Sequence, residues 1–129
     1  MRPSAMLTVT SIFSILLLSL HIAHDIVLGF SGGGIENLYG IAILVVYLCG
    51  ALLLRDRRAG LVIVLLGSLF TAAMPVIHMT GAGLRAGGSA GALLFVWTLY
   101  ALGVAGTFGV ILSALAFRGA RAVRPREVP

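Results

Sequence analysis

Three histidines and the one acid inside a hydrophobic stretch are the residues of this 129-residue chain whose side chains could do chemistry. His21, His24 and Asp25 lie at positions i, i+3 and i+4, a spacing that gathers side chains on one side of a helix. His78 lies in a separate apolar stretch. Imidazoles and a carboxylate suit a divalent transition metal, with zinc or copper as the candidates by ligand type. We therefore expect a metal or haem site in which His24 and His78 are the principal ligands, assisted by His21 and Asp25.

Haem binding is one form of this hypothesis, and two further interpretations use the same residues. Haem b could be held between His24 and His78, because both lie at a similar depth from the ends of their helices. A proton or ion relay could use the histidine and aspartate pairs, although the rest of the predicted interior offers only serine and threonine as polar steps. Finally, His21, His24 and Asp25 could form interhelical hydrogen bonds that fix the packing and do nothing else.

Further residues are expected around this site. Helical rise places Glu36 above the histidines and the aromatic side chains of Trp97 and Tyr100 beneath them. Met79, next to His78, could offer a soft sulfur to copper. The chain contains neither the H-E-x-x-H motif nor a phosphate-binding glycine loop followed by lysine. We assign no catalytic residue, and an enzyme is expected only if a metal or haem supplies the chemistry.

The elements that position these residues are predicted from composition. Hydrophobic residues make up 60% of the chain and charged residues 10%, and the mean hydropathy is strongly positive. A soluble domain of this length would need more charge to cover its surface. Four stretches are long and apolar enough to cross a bilayer, at about 5–28, 38–54, 60–80 and 90–117. The prediction is an all-α, integral membrane four-helix bundle that forms a single domain over residues 1–129.

The arginines predict the orientation of this bundle, and the chain has no lysine to complicate the count. Every arginine except Arg85 lies in one of three places: at position 2, in the link that contains residues 55–58, or in the tail 118–129. Because cytoplasmic connections retain positive charge, both termini are expected in the cytoplasm of a bacterial cell, with four crossings of the inner membrane. The basic tail is interpreted as a topology anchor that touches anionic lipid, and no nucleic-acid partner is expected.

A ridge of small residues on the fourth segment suggests an alternative function. Its members recur every four residues, at Ala101, Ala105, Gly109 and Ser113. Small residues at this spacing let helix backbones approach closely, either within one bundle or between protomers. On this interpretation the chain is a non-catalytic subunit or scaffold that docks against a larger membrane protein, or a homo-oligomer.

Overall fold

The computed structural model describes residues 3–27, 29, 34–79 and 90–122 of the chain, and these residues form four α-helices and no strand. The helices are α1 (Pro3–Val27), α2 (Ile35–Leu52), α3 (Arg58–Met79) and α4 (Ala90–Ala122). The prediction of an all-helical architecture with four helices is confirmed for the described residues, but only three of these helices are long and apolar enough to cross a bilayer. Helix α4 continues beyond the predicted end of its apolar segment, through the first residues of the basic tail.

The four helices differ in how well they could cross a membrane. Ala5–Val27, Arg58–His78 and Leu93–Gly119 are long and apolar enough to do so. The apolar part of α2, Asn37–Leu52, is shorter. This helix begins after Gly34, whose φ of 63° lies in the left-handed region that glycine adopts without strain.

The link between α2 and α3 is a tight turn. Leu54 N donates to Cys49 O at the end of α2, and Arg57 N donates to Leu54 O within the link. A Cβ atom at Gly60 would collide with the Leu54 carbonyl, so the first turn of α3 lies directly against this link. Because so short a connection can only reverse the chain, α2 and α3 are antiparallel neighbours.

The two ends of the bundle carry different residues. At one end, a shared cavity is lined by Leu7 of α1, Ala51 of α2, Leu61 of α3 and Ala116 of α4. The start of α1 and the last part of α4 therefore lie at the same end as the arginine-containing link. The C-terminal ends of α1 and α3 and the start of α4 meet at the opposite end. All three histidines belong to that opposite end.

Helices α3 and α4 pack most closely through glycine. A Cβ atom at Gly103 would collide with the ring of Pro75, and one at Gly106 would collide with the Ala72 backbone nitrogen. A Cβ at Gly109 would collide with the Ser68 hydroxyl. Three members of the predicted small-residue ridge are buried in the bundle, and the fourth, Ala101, is half-buried. Most of the ridge therefore packs inside this chain, and Ala101 and Ala105 also line an outward-facing groove between α1 and α4. Docking against a partner stays a prediction.

The interior of the bundle is more polar than its exterior. Seven polar side chains are buried, namely Ser11, Ser14, His21, Ser68, Thr71, Thr98 and Ser113. Large apolar side chains cover the outside of all four helices, with Val27, Leu53 and Val104 each more than 70% exposed. Isolated exposed apolar residues are common on soluble proteins, but an apolar exterior around a hydroxyl-rich interior is typical of helices packed in lipid.

Candidate metal centre

His21 and Asp25 lie one turn apart on α1, which points both side chains toward the same part of the interior. The His21 side chain is fully buried, and the Asp25 side chain is 21% exposed. His21 Nε2 lies 3.8 Å from Asp25 Oδ2. This pair was expected from its i, i+4 spacing.

His78 reaches the same carboxylate from α3. Its Nε2 lies 3.6 Å from Asp25 Oδ2, and its Nδ1 lies 3.1 Å from the Met74 carbonyl oxygen. A carbonyl can only accept, so Nδ1 donates to Met74 O and the neutral ring keeps its free lone pair on Nε2. Metal-binding histidines commonly have this arrangement, in which one nitrogen is fixed by a carbonyl and the other faces the ion.

An aromatic side chain holds the two imidazoles in place. The rings of His21 and His78 are edge to face, with centroids 4.8 Å apart and planes at 81°. The buried ring of Phe95, near the start of α4, lies 4.9 Å from the His21 ring and 5.7 Å from the His78 ring. These are ordinary aromatic contact distances. Phe95 was not among the residues expected from the sequence, where nothing distinguishes it from its apolar neighbours on α4.

The three polar residues form a group with the dimensions of a metal site. One donor atom from each of His21, Asp25 and His78 can be chosen so that all lie within 4.8 Å of one another. Donor atoms on a tetrahedral ion with bonds of about 2.0–2.1 Å are about 3.3 Å apart. The two histidine-to-aspartate separations, 3.8 and 3.6 Å, are within a few tenths of an ångström of that value. The two imidazole nitrogens are the widest pair of this group, which extends to 4.8 Å, so coordination would also require the rings of His21 and His78 to approach each other.

Several atoms of this group lack a hydrogen-bond partner. Both ring nitrogens of His21 and the Oδ1 atom of Asp25 are buried, and none has a partner among the residues that the structure describes. A buried polar atom without a partner costs roughly 1–3 kcal/mol, and more when it is charged. Such atoms are rare in folded proteins and usually have an explanation in a bound ion, a water molecule or a function.

His24 is not a member of the group. It is partly exposed, and its Nδ1 lies 3.0 Å from the Leu20 carbonyl of its own helix. The sequence hypothesis paired His24 with His78, whereas the structure brings His21 beside His78. His24 lies about 60° around α1 from His21, on the side opposite to Asp25, so the rotation of α1 that turns His21 and Asp25 inward leaves His24 nearer the periphery.

The contact between His21 and His78 also bears on haem. A haem held by two imidazoles lies between them, with its plane separating the rings. Here the rings touch each other edge to face, and Phe95 packs against both. This geometry leaves no space for a porphyrin between His21 and His78. The haem expected between His24 and His78 stays a prediction.

Trp97 and Tyr100 do not lie beneath the histidines. Their side chains are 69% and 50% exposed, and they line an outward-facing groove between α1 and α4. The expectation that they surround the site is wrong, because the inward face of α4 at this level is that of Phe95 and Leu99. The side chains of Glu36 and Met79 lie outside the part of the chain that the structure describes, so their expected roles stay predictions.

A continuous polar path does not lead away from the group. One helical turn below it, Leu18 and Met74 belong to a buried apolar cluster with Phe95, Leu99 and Leu102. The nearest buried hydroxyls on the same two helices, Ser14 and Thr71, lie one turn beyond that cluster. This apolar layer counts against a proton or ion relay through the described interior.

The chain contains the pattern G-x-S-x-G twice, at 29–33 and 87–91. The pattern forms a nucleophile elbow only where a strand turns into a helix. Apart from Gly29, Ala90 and Gly91, these residues lie outside the described ranges, and the described ranges contain no strand. The pattern therefore gives no support to hydrolytic chemistry.

Comparisons with known proteins do not assign the chain to a family. No protein-family model, curated protein or solved structure matches it. The functional argument consequently depends on the geometry of the group formed by His21, Asp25 and His78.

Proposed function

We propose that this chain is a small integral membrane protein that binds one divalent transition-metal ion through His21, Asp25 and His78. The observation that carries the proposal is the burial of His21. Its side chain is fully buried, neither ring nitrogen has a hydrogen-bond partner among the described residues, and a carboxylate and a second imidazole lie beside it. A metal ion would accept one lone pair from each of the three residues at once, and only the second ring nitrogen of His21 would stay without a described partner.

Hydrogen bonds within the group would satisfy fewer of its polar atoms than a bound metal ion would. The Asp25 carboxylate lies 3.8 and 3.6 Å from the two imidazoles, beyond the usual length of a hydrogen bond. If the carboxylate moved to accept a hydrogen bond from His21 Nε2, the lone pairs of His21 Nδ1 and His78 Nε2 would both still lack a partner, whereas an ion leaves only the second His21 nitrogen without one. An ion bound by lone pairs from two nitrogens and one oxygen offsets the desolvation of the three side chains more completely.

The donor set favours zinc or copper. Two imidazole nitrogens and one carboxylate oxygen are borderline ligands, which both ions accept. Three protein ligands leave at least one coordination position open on a tetrahedral ion, as in zinc sites that bind water or a substrate. We assign no reaction to that position.

The distribution of side chains supports insertion in a membrane. Hydroxyls and His21 are inside and large apolar side chains are outside, the arrangement that lipid favours. At 1.5 Å per residue, the apolar part of α2, Asn37–Leu52, spans about 24 Å, a few ångströms less than the hydrocarbon thickness of about 30 Å, a mismatch that local thinning of the bilayer accommodates. Four crossings follow if α2 also spans. The positive-inside rule then places the arginine-bearing end and both termini in the cytoplasm and the metal group at the periplasmic side of a bacterial inner membrane.

Zinc binding by the purified full-length protein in detergent micelles tests the proposal. We expect one Zn²⁺ per chain in a titration against a chromophoric chelator. The changes His21→Gln, Asp25→Asn and His78→Gln should each weaken Zn²⁺ affinity on the order of 100-fold, because each removes one of three ligands. Cobalt(II) should give the visible absorption bands of a four-coordinate ion in the wild-type protein and lose them in these variants.

His24→Gln is the matched control, since His24 lies on the same helix and outside the group. Its Zn²⁺ affinity should equal that of the wild type. A loss confined to His24→Gln would restore the sequence hypothesis and overturn the group described here. Resistance of the protein to alkaline extraction from membranes tests insertion separately, and release into the soluble fraction would refute it.

A further inference from the structure

The cavity shared by the four helices lies at the opposite end of the bundle from His21, Asp25 and His78. It has a volume of about 190 Å³ and opens between the start of α1, the end of α2 and the start of α3. Its floor is apolar and includes Leu7, Ala51 and Val64, which are all buried. Its mouth is formed by the link that contains Arg55, Asp56 and Arg57 and by Arg58, the first residue of α3.

The charge at this mouth is positive. Arg55 Nε lies 3.4 Å from Asp56 Oδ2, so that pair is close to neutral. Arg57 and Arg58 are exposed, and no acidic side chain among the described residues lies within ion-pair distance of either. Two guanidinium groups therefore remain to bind an anion at the edge of an apolar cavity. Guanidinium groups bind phosphate through paired hydrogen bonds.

Backbone groups at the mouth favour an anion as well. Leu61 N donates to Arg57 O, which is the first hydrogen bond of the α3 ladder. The amides of Arg58, Ala59 and Gly60 precede it, so no carbonyl within the helix can accept from them. These amides lie at the positive end of the helix dipole, where negative charge is stabilised.

The walls of the cavity are fixed by close backbone packing. A Cβ atom at Gly60 would collide with the Leu54 carbonyl, and one at Gly50 would collide with the Ile63 side chain. Both glycines line the cavity. The mouth and the floor are thus held in a constant relation to each other, which a ligand with a charged head and an apolar tail would require.

We propose that this cavity binds an anionic phospholipid, with the phosphate at Arg57 and Arg58 and the first part of an acyl chain on the apolar floor. The combination of charge at the mouth and apolar residues within selects an amphiphile over a free phosphate ion, which would gain nothing from the floor. This inference depends on the proposed membrane insertion and is independent of metal binding at the other end.

Native mass spectrometry of the full-length protein, released from micelles that contain equal amounts of phosphatidylglycerol and phosphatidylcholine, tests the proposal. The wild-type protein should retain phosphatidylglycerol preferentially. The double change Arg57→Gln and Arg58→Gln should reduce that preference on the order of ten-fold. Arg118→Gln removes an exposed arginine of the basic tail that does not line the cavity, and it should reduce the preference much less than Arg57→Gln or Arg58→Gln alone.

A second variant separates lipid from free phosphate. Leu61→Trp fills the cavity without changing its charge, and it should lower phosphatidylglycerol retention, whereas excess inorganic phosphate should not displace the lipid from the wild type. Displacement by phosphate, together with full retention by Leu61→Trp, would assign the site to free phosphate and overturn the proposal. Equal retention of both lipids by the wild type would overturn it also. Removal of metal with a chelator should change none of these results, which keeps this test distinct from that of the metal group.

Discussion

Two buried polar layers cross the interior of this bundle, and they differ in how their polar atoms are satisfied. The first is the titratable layer, formed by His21, Asp25 and His78. The second is the hydroxyl layer, nearer the middle of the bundle, formed by Ser11, Ser14, Tyr47, Ser68 and Thr71. The apolar cluster around Leu18 separates them.

The hydroxyl layer largely satisfies itself. Ser11 Oγ donates to the Leu7 carbonyl at 2.8 Å, and Thr71 Oγ1 donates to the Ser68 carbonyl at 3.0 Å. The hydroxyls of Tyr47 and Ser68 bond each other at 3.0 Å across α2 and α3. Serine and threonine can use carbonyls of their own helix, so they are buried at little cost. Ser14 is the exception within this layer, since its hydroxyl has no partner among the described residues.

The titratable layer cannot satisfy itself in this way. His78 uses a carbonyl of its own helix, but the ring nitrogens of His21 and Oδ1 of Asp25 remain unpaired among the described residues. A buried polar side chain therefore indicates a functional site only where the carbonyls and hydroxyls around it do not already bond it. The hydroxyl layer bonds mainly within itself, whereas the titratable layer keeps three buried polar atoms without a hydrogen-bond partner among the described residues.

The largest loss of stability is expected from a substitution on α4 where this helix packs against the hydroxyl layer. Gly106→Val would place side-chain atoms against Thr71 Oγ1 and the Ala72 backbone nitrogen, which cannot move without displacing α3. We expect a loss of about 3 kcal/mol in the free energy of unfolding, measured by titration with a denaturing detergent. Gly119→Val is the control, because a Cβ there has no neighbour within 4 Å. Equal stability of the two variants would show that α3 and α4 do not pack this closely.

Zinc should stabilise the folded protein through the titratable layer and not through the hydroxyl layer. Zinc at 100 times its dissociation constant should raise the free energy of unfolding by about 2.7 kcal/mol, because the ion binds only the folded protein. His78→Gln, with its 100-fold weaker affinity, should reduce this stabilisation to about 0.4 kcal/mol, and Ser68→Ala, in the hydroxyl layer, should preserve it. If zinc stabilises the His78→Gln variant as much as the wild type, the ion binds elsewhere and the contrast between the layers fails.

The smallest changes in the free energy of unfolding are expected when single hydroxyls are removed from the hydroxyl layer. Tyr47→Phe removes a bond to Ser68 and should cost about 1 kcal/mol. Ser14→Ala removes a hydroxyl that makes no bond to a described residue, so the free energy of unfolding should change by less than about 0.5 kcal/mol. Both values can be measured in the same detergent titration. A cost for Ser14→Ala as large as that for Tyr47→Phe would mean that the hydroxyl layer contains a further partner for Ser14.

Much of the architecture could be predicted from the sequence. Long apolar stretches fix the number of helices, because only a helix satisfies its own backbone hydrogen bonds in an apolar setting. The proximity of His21 to Asp25 also follows from sequence, since residues four apart on a helix are neighbours. The arginines of the α2–α3 link and the tail, Arg118 among them, indicate which ends of the helices belong together.

Residues on different helices were less predictable. The sequence suggested His24 as the partner of His78, and Trp97 and Tyr100 as the aromatic neighbours. The structure instead brings His21 and Phe95 to His78. Each of these differences is a rotation of one helix about its axis, and an apolar helix in a largely apolar chain has little periodicity from which to read that rotation.

The sequence by itself determined the helices, their order along the chain and the placement of all three histidines at one end, because these depend on local hydropathy and on counting residues along a helix. The packing of the bundle shows which histidine faces inward, that the ridge ending at Ser113 is mostly buried, and that an apolar layer lies beneath His21 and His78. The physical reason is that rotation and register between helices are set by side-chain packing, above all by the close approach of Gly103, Gly106 and Gly109 to α3.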